Sequence, residues 1–145
     1  MSTAERCSRE YGALVSLERI NPDQLARPSG FSHAVVAEGR HVYLAGQTAM
    51  DADGRIVGGD IVAQFEQALR NLLTALDAAG GRPEQLASLT IYIVDLDEYK
   101  RRARDIGAVW RELAGATYPA MAGVGVPRLW DDTALVELQG IAVLD

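Results

Sequence analysis

One carboxylate in this sequence stands where a carboxylate is costly. Along Leu135 to Leu144, the alternation of a β-strand puts Val136, Leu138, Gly140, Ala142 and Leu144 on one face and Leu135, Glu137, Gln139, Ile141 and Val143 on the other. The first set suits a helix-packed core. The second places Glu137 and Gln139 among apolar neighbours, where an unpaired carboxylate costs several kcal/mol, so this face should open onto a subunit interface or a cleft. Two readings of Glu137 stay open: half of an ion pair with an arginine across an interface, or a carboxylate that handles protons and positions water.

Other candidates carry less. Ser32 and His33 suggest a nucleophile and its base, but neighbours on a strand point to opposite faces and cannot serve each other, so His33 reads as structural. His41 opens a strand beside a turn and reads as a solvated edge residue. Gly123-Val124-Gly125 is half of a nucleotide fingerprint with Pro127 after it rather than a helix, which makes the glycines sites of close approach or a bulge. Lys100, Arg101, Arg102 and Arg104 form a basic run that reads as a solvated helix face. There is no Walker loop, HExxH or GxSxG segment, no paired histidine spacing, and Cys7 is the only cysteine, so neither a disulfide within the chain nor a metal knuckle is available and no cofactor is expected.

The elements that must position these residues can be read from period and punctuation. With 145 residues and 48% apolar content, the chain can bury a core of its own. Residues 1–12 are polar and aperiodic and read as a flexible extension, leaving one domain over 13–145. Ala13 to Ile20 reads as a first strand ended by Asn21-Pro22, and Phe31 to Ala37 and His41 to Thr48 read as a hairpin turned by Glu38-Gly39-Arg40, with Asp51 to Gly54 as the next turn. From Asp60 the period becomes helical: Ile61, Phe65, Ala68, Leu69, Leu72, Leu73, Leu76 and Ala79 form a stripe, with Gln64, Glu66, Arg70, Asn71 and Asp77 around the rest. Asp60 can cap the helix and Gly80-Gly81 can stop it. Leu89 to Val94 is a strand, Asp97 to Leu113 a second helix with Tyr99, Ile106, Val109, Trp110 and Leu113 inward, and Ala120 to Val126 and Ala134 to Leu144 the last strands. A lone strand between helices demands a crossover, so the expected fold is α+β, a mixed six-stranded sheet with two helices on one face. The formal charge of −6 argues against nucleic acid or anionic membrane as partners, and the segment Met1 to Arg19 has no apolar run, which points to a cytoplasmic protein.

Several segments, in order, resemble the motifs of the Rid (YjgF/YER057c/UK114) family: Arg19-Ile20-Asn21-Pro22, Phe31-Ser32-His33-Ala34-Val35, Val42 to Thr48, Gly58-Gly59-Asp60-Ile61 with Gln64, and Val136 to Val143. The resemblance runs from about Leu17 to the C-terminus. It implies a chorismate-mutase-like subunit in a homotrimer, with ligand clefts between subunits. It also implies hydrolysis of reactive enamines and imines to a keto acid and ammonia, a reaction that needs a clamp for the substrate carboxylate and an acceptor for the proton of water.

Residue by residue, the resemblance places Glu137 at the cleft glutamate, Gly46 and Gln47 at the Gly-Gln segment lining the pocket, and Phe31 at an aromatic wall residue, without the hydroxyl of the commoner Tyr. Gln139 stands where a second Glu is common, Ala103 where Asn is frequent, and Arg128 matches an arginine of the following loop, here one residue longer. The deaminase clamp arginine follows Pro-Ala; in Tyr118-Pro119-Ala120-Met121-Ala122-Gly123 its place is taken by Met121, and that of the next hydroxyl by Ala122. A guanidinium–carboxylate pair contributes about 1.5–3 kcal/mol, and a thioether cannot replace it. The expected activity is binding or hydrolysis of a small metabolite at a C–N bond, with ordinary 2-aminoacrylate deamination disfavoured, Glu137 orienting water, amides near Gly123 stabilising negative charge, and Phe31 and Met121 shaping the pocket. The alternative is a non-enzymatic ligand-binding or chaperone-like trimer. Ribonuclease activity is disfavoured by the charge and by the lack of a histidine pair.

Overall fold

The computed structural model describes residues 17–145, so the expected extension 1–12 and the first half of the first expected strand, residues 13–16, lie outside the described residues. The strands are β1 (Glu18–Ile20), β2 (Ala34–Val36), β3 (Arg40–Gln47), β4 (Leu86–Ile93), β5 (Ala120–Gly125) and β6 (Val136–Leu144). The helices are α1 (Ile61–Ala78), α2 (Leu96–Arg101) and α3 (Ala103–Ala114), with a 3-10 turn over Pro83–Gln85. The α+β class holds, but hydrogen bonding divides the six strands into a β1–β2 ribbon and a four-stranded sheet in the order β3-β6-β4-β5. Within that sheet β6 is antiparallel to β3 and β4, and β4 is parallel to β5 across the α2–α3 connection.

The expected hairpin between Phe31–Ala37 and His41–Thr48 does not form. β2 pairs with β1, and β3 pairs with β6. Ser32 bridges Ala120 at the β5 edge, whereas Arg40 starts β3 at the opposite edge, so the chain between them crosses the end of the sheet. A three-residue strand whose Ala34 and Val36 are exposed has no apolar face to hold it against β3. The turn at Asp51 is as expected: its carboxylate accepts from the amides of Asp53 and Arg55, and Met50 bridges Ile56.

The first helix follows its sequence closely. Asp60 caps it by accepting from the Ala63 amide at 2.8 Å, and this bond, with the Arg102 guanidinium close by, holds the Asp60 carboxyl below its ordinary range. Gly80 takes a φ of +88° at the other end, where its amide returns to Asp77 and that of Gly81 to Leu76. Phe65, Leu69, Leu72 and Leu76 are buried against Leu89, Ile93, Val136 and Leu138 from the sheet. The second helix is broken at Arg102, between α2 and α3. No Gly or Pro marks the break; Arg102 is instead tied to Asp105 on its own helix and to Asp60 at the start of α1. Ile106 and Trp110 are buried, and Tyr99, Val109 and Leu113 pack against the same core.

Gln64, read as part of the polar surface of α1, is instead buried. Its Oε1 accepts from the Leu135 amide at 2.9 Å, and its Nε2 donates to the carbonyl of Thr133 at 3.0 Å, so α1 pins the chain entering β6. Gln64→Ala leaves these backbone groups without partners, each at a cost of about 1–3 kcal/mol. The expected outcome is a clearly lower urea midpoint at fixed protein concentration; an unchanged midpoint would contradict this role.

Candidate functional site

The alternation expected for β6 holds from Val136 to Ala142: Val136, Leu138, Gly140 and Ala142 are buried on the helix side, while Glu137 is half-buried and Gln139 and Ile141 exposed on the other. At the end of the strand Val143, expected on the outer face, is buried as Leu144 is. Glu137 pairs with Tyr92 of β4, and the Tyr92 hydroxyl donates to Gln139 Oε1 at 3.2 Å on the same outer face. The Glu137 carboxylate lies over Gly46 of β3, so closely that a Cβ at Gly46 would fall on its Oε1. That absence of a side chain is what lets the carboxylate lie flat on the neighbouring strand. Gln47 follows an irregularity in the β3–β6 pairing and sits opposite Leu138. Glu137, Gly46 and Gln47 are thus gathered at one end of β3 and β6.

Met121 is elsewhere. It pairs with Leu89, whose side chain is buried beneath the helices, and it packs against the helix-side core. Leu89 and Tyr92 are three residues apart on β4, so their faces are opposite, and the same holds for Met121 and Glu137. Gly123 shares the Met121 face, and Ala122 turns to the other side of β5. β5 is an edge strand, and because the Val126 amide bonds to Ile93 of β4, alternation turns the Gly123 amide to the open edge. Phe31 lies beside this edge: Ser32 next to it donates its amide to the Pro119 carbonyl at 2.9 Å. One chain therefore divides the candidate site into two halves on opposite faces of one sheet.

Ser32 and His33 do not form a catalytic pair. The Ser32 hydroxyl is buried and donates to the Tyr118 carbonyl at 2.7 Å. The His33 ring donates Nε2–H to the Ala26 carbonyl at 2.7 Å, and its edge meets Phe31. His41 is exposed next to Tyr43. The basic run is broken up by ion pairs of Arg101 with Glu98 and of Arg102 with Asp60 and Asp105, which hold both guanidinium pKa values above the ordinary range through hydrogen bonds to those carboxylates. Arg104 instead lines a groove beside Met121, together with Arg111, which sequence reasoning did not single out. Their seven-residue spacing was the available signal, since it puts both on one helix face. Among the described residues no cluster of side chains could hold a metal ion.

Comparison with known proteins decides the family. Residues 22–144 match the family model described as Endoribonuclease L-PSP. The chain belongs to the Rid (YjgF/YER057c/UK114) family. It is similar to Protein DfrA of Myxococcus xanthus, 36% identical over 127 residues that cover 86% of this chain and 93% of that one. A protein of Capra hircus named 2-iminobutanoate/2-iminopropanoate deaminase is 31% identical over 114 residues, 78% of this chain and 79% of its own. The crystal structure of the Rid-family protein YyfB of Yersinia pestis, described as of unknown function, superimposes with a TM-score of 0.80 at 34% identity and covers 90% of this chain and all of that one. These neighbours share the α+β, chorismate-mutase-like Rid fold.

In this Rid-family chain the Gly46–Glu137 contact is open to a direct test. Gly46→Ala should leave the fold and melting temperature nearly unchanged, because the Glu137 side chain can swing away, while a crystal structure shows its carboxylate displaced from β3. A carboxylate still lying over residue 46 would contradict the contact.

Proposed function

We propose that this Rid-family chain works as a homotrimer whose intersubunit clefts bind a small metabolite and hydrolyse an imine or related C–N bond. The observation that carries the reading is the division of the site: Glu137 with Gly46 on the outer sheet face, Met121 with Gly123 on the helix face. Side chains on opposite faces of one sheet can act on one ligand only when the outer face of one subunit meets the β5 edge of the next. The relatives named 2-iminobutanoate/2-iminopropanoate deaminase support C–N hydrolysis as the reaction class.

The chemistry asks little of the protein because an imine carbon is already electrophilic. Glu137 holds a water against that carbon and takes its proton as the C–O bond forms. That proton passes to the nitrogen, giving a carbinolamine; Glu137 then takes the remaining hydroxyl proton and returns it to the nitrogen as the C–N bond breaks, so that ammonia leaves and the C=O bond is complete. The amide of Gly123 at the open edge faces negative charge developing on the substrate. Met121 offers no charge to a substrate carboxylate, which removes about 1.5–3 kcal/mol of binding, about ten- to a hundredfold, for acids gripped at that position. The second reading, a ligand-binding trimer without catalysis, is favoured by the packing of Met121 against the core, where it fills its site with apolar atoms.

The two are separated by generating 2-iminobutanoate in place with a dehydratase and following keto-acid release. The wild-type protein should accelerate release weakly, Met121→Arg by at least about tenfold more, and Glu137→Gln in that background should abolish the gain. Equal rates for the wild type and Met121→Arg, or a gain that survives loss of Glu137, would contradict the assignment. No acceleration by either protein leaves the binding trimer.

A further inference from the structure

The groove next to Met121 has features that the reaction above does not use. It is an open groove of about 530 Å³ between β5 and α3, with room for more than a three- or four-carbon acid. Its floor is apolar, built from Phe65, Ile91 and Met121. One wall carries the half-buried Tyr118, backed by the buried Trp110 on which it stacks with centroids 5.9 Å apart and planes 19° apart, a rigid surface suited to a flat or branched apolar group.

The charge in the groove is of one sign. Arg104 and Arg111 both line it, seven residues apart on α3, and none of the described residues lining it is a carboxylate. Among the described residues Arg104 and Arg111 pair with no carboxylate, as is true also of Arg27, Arg55, Lys100 and Arg128; what sets these two apart is that both line one groove with an apolar floor. Between them stands Gly107, where a Cβ would come within 3.3 Å of Arg111 Nη1; the missing side chain leaves the guanidinium room to lie back along the helix toward Arg104. Burial pushes the Tyr99 phenol up to about 12, so it stays neutral and adds no negative charge.

We propose that this groove binds a small carboxylate bearing an aromatic or branched aliphatic body, with the acid group on Arg104 and Arg111 and the body over Met121 and Tyr118. The proposal rests on the reading that the Met121 groove forms one wall of the intersubunit cleft, and it moves the anchoring cation from β5 to α3. A larger acid then spans the distance that a short clamp at position 121 would close.

The test is calorimetric titration of the full-length protein with phenylacetate and with phenylacetamide, its uncharged counterpart. Wild type should bind the acid at least about tenfold more tightly than the amide, and the preference should shrink as sodium chloride is raised. Arg104→Gln/Arg111→Gln should bring the two affinities to within about twofold, with each single variant between. Both side chains are exposed and unpaired among the described residues, so native mass and melting temperature should not change. Equal affinity for acid and amide, a double variant that keeps the preference, or no binding of either ligand up to about 10 mM would overturn the proposal. Because the readout is binding, a protein that hydrolyses no imine still passes, and one that hydrolyses imines can still fail.

Discussion

Side chains on a strand alternate between faces, and everything at this site depends on which face each residue takes. β6 runs through the middle of the sheet with β3 on one side and β4 on the other, so its helix-facing residues are sealed in the core while Glu137 is forced outward. β4 passes the same alternation on to β5, where Met121 is forced inward under α3. The sheet is thus a partition. A chain built this way presents two incomplete surfaces, one acidic and open, one apolar with two arginines at its rim.

The partition is held rigid by few contacts. Gln64 joins the first turns of α1 to the backbone entering β6 and fixes the register from which Glu137 is counted. Gly46 gives the carboxylate a flat place on β3. Arg102 ties the α2–α3 break to the cap of α1, setting where α3 starts and hence where Arg104 and Arg111 come to lie. Each contact links elements distant in sequence, and each bears on one half of the site.

What the sequence made legible follows from what is local. The span of α1 could be read from its stripe and from Asp60 and Gly80, because capping involves groups within a few residues of one another. The two faces of β6 were legible from alternation alone. The pairing of β2 was not: short, exposed strands carry no face pattern that names a partner, and the partner of β3 is about a hundred residues away. The burial of Gln64 was hidden for the same reason, since Thr133 and Leu135 cannot be known as its partners until the fold brings them there. Arg104 read as one more charge in a basic run; only the groove separates it from the paired Arg101 and Arg102. Family resemblance named Glu137 and Met121 as residues of one cleft, and the single chain sets them on opposite faces, a consequence that no motif carries by itself.

The most direct measurement is cross-linking between the two halves. In a Cys7→Ser background, Met121→Cys and Glu137→Cys are introduced together and treated with a bis-maleimide of about 10 Å reach, roughly the spacing of packed sheet layers. If the cleft is shared, the bridges join different chains, and denaturing electrophoresis shows species up to three times the 15.6 kDa chain, with native mass unchanged. A cross-link closed within one chain, or a monodisperse 15.6 kDa monomer in solution, would contradict the shared cleft.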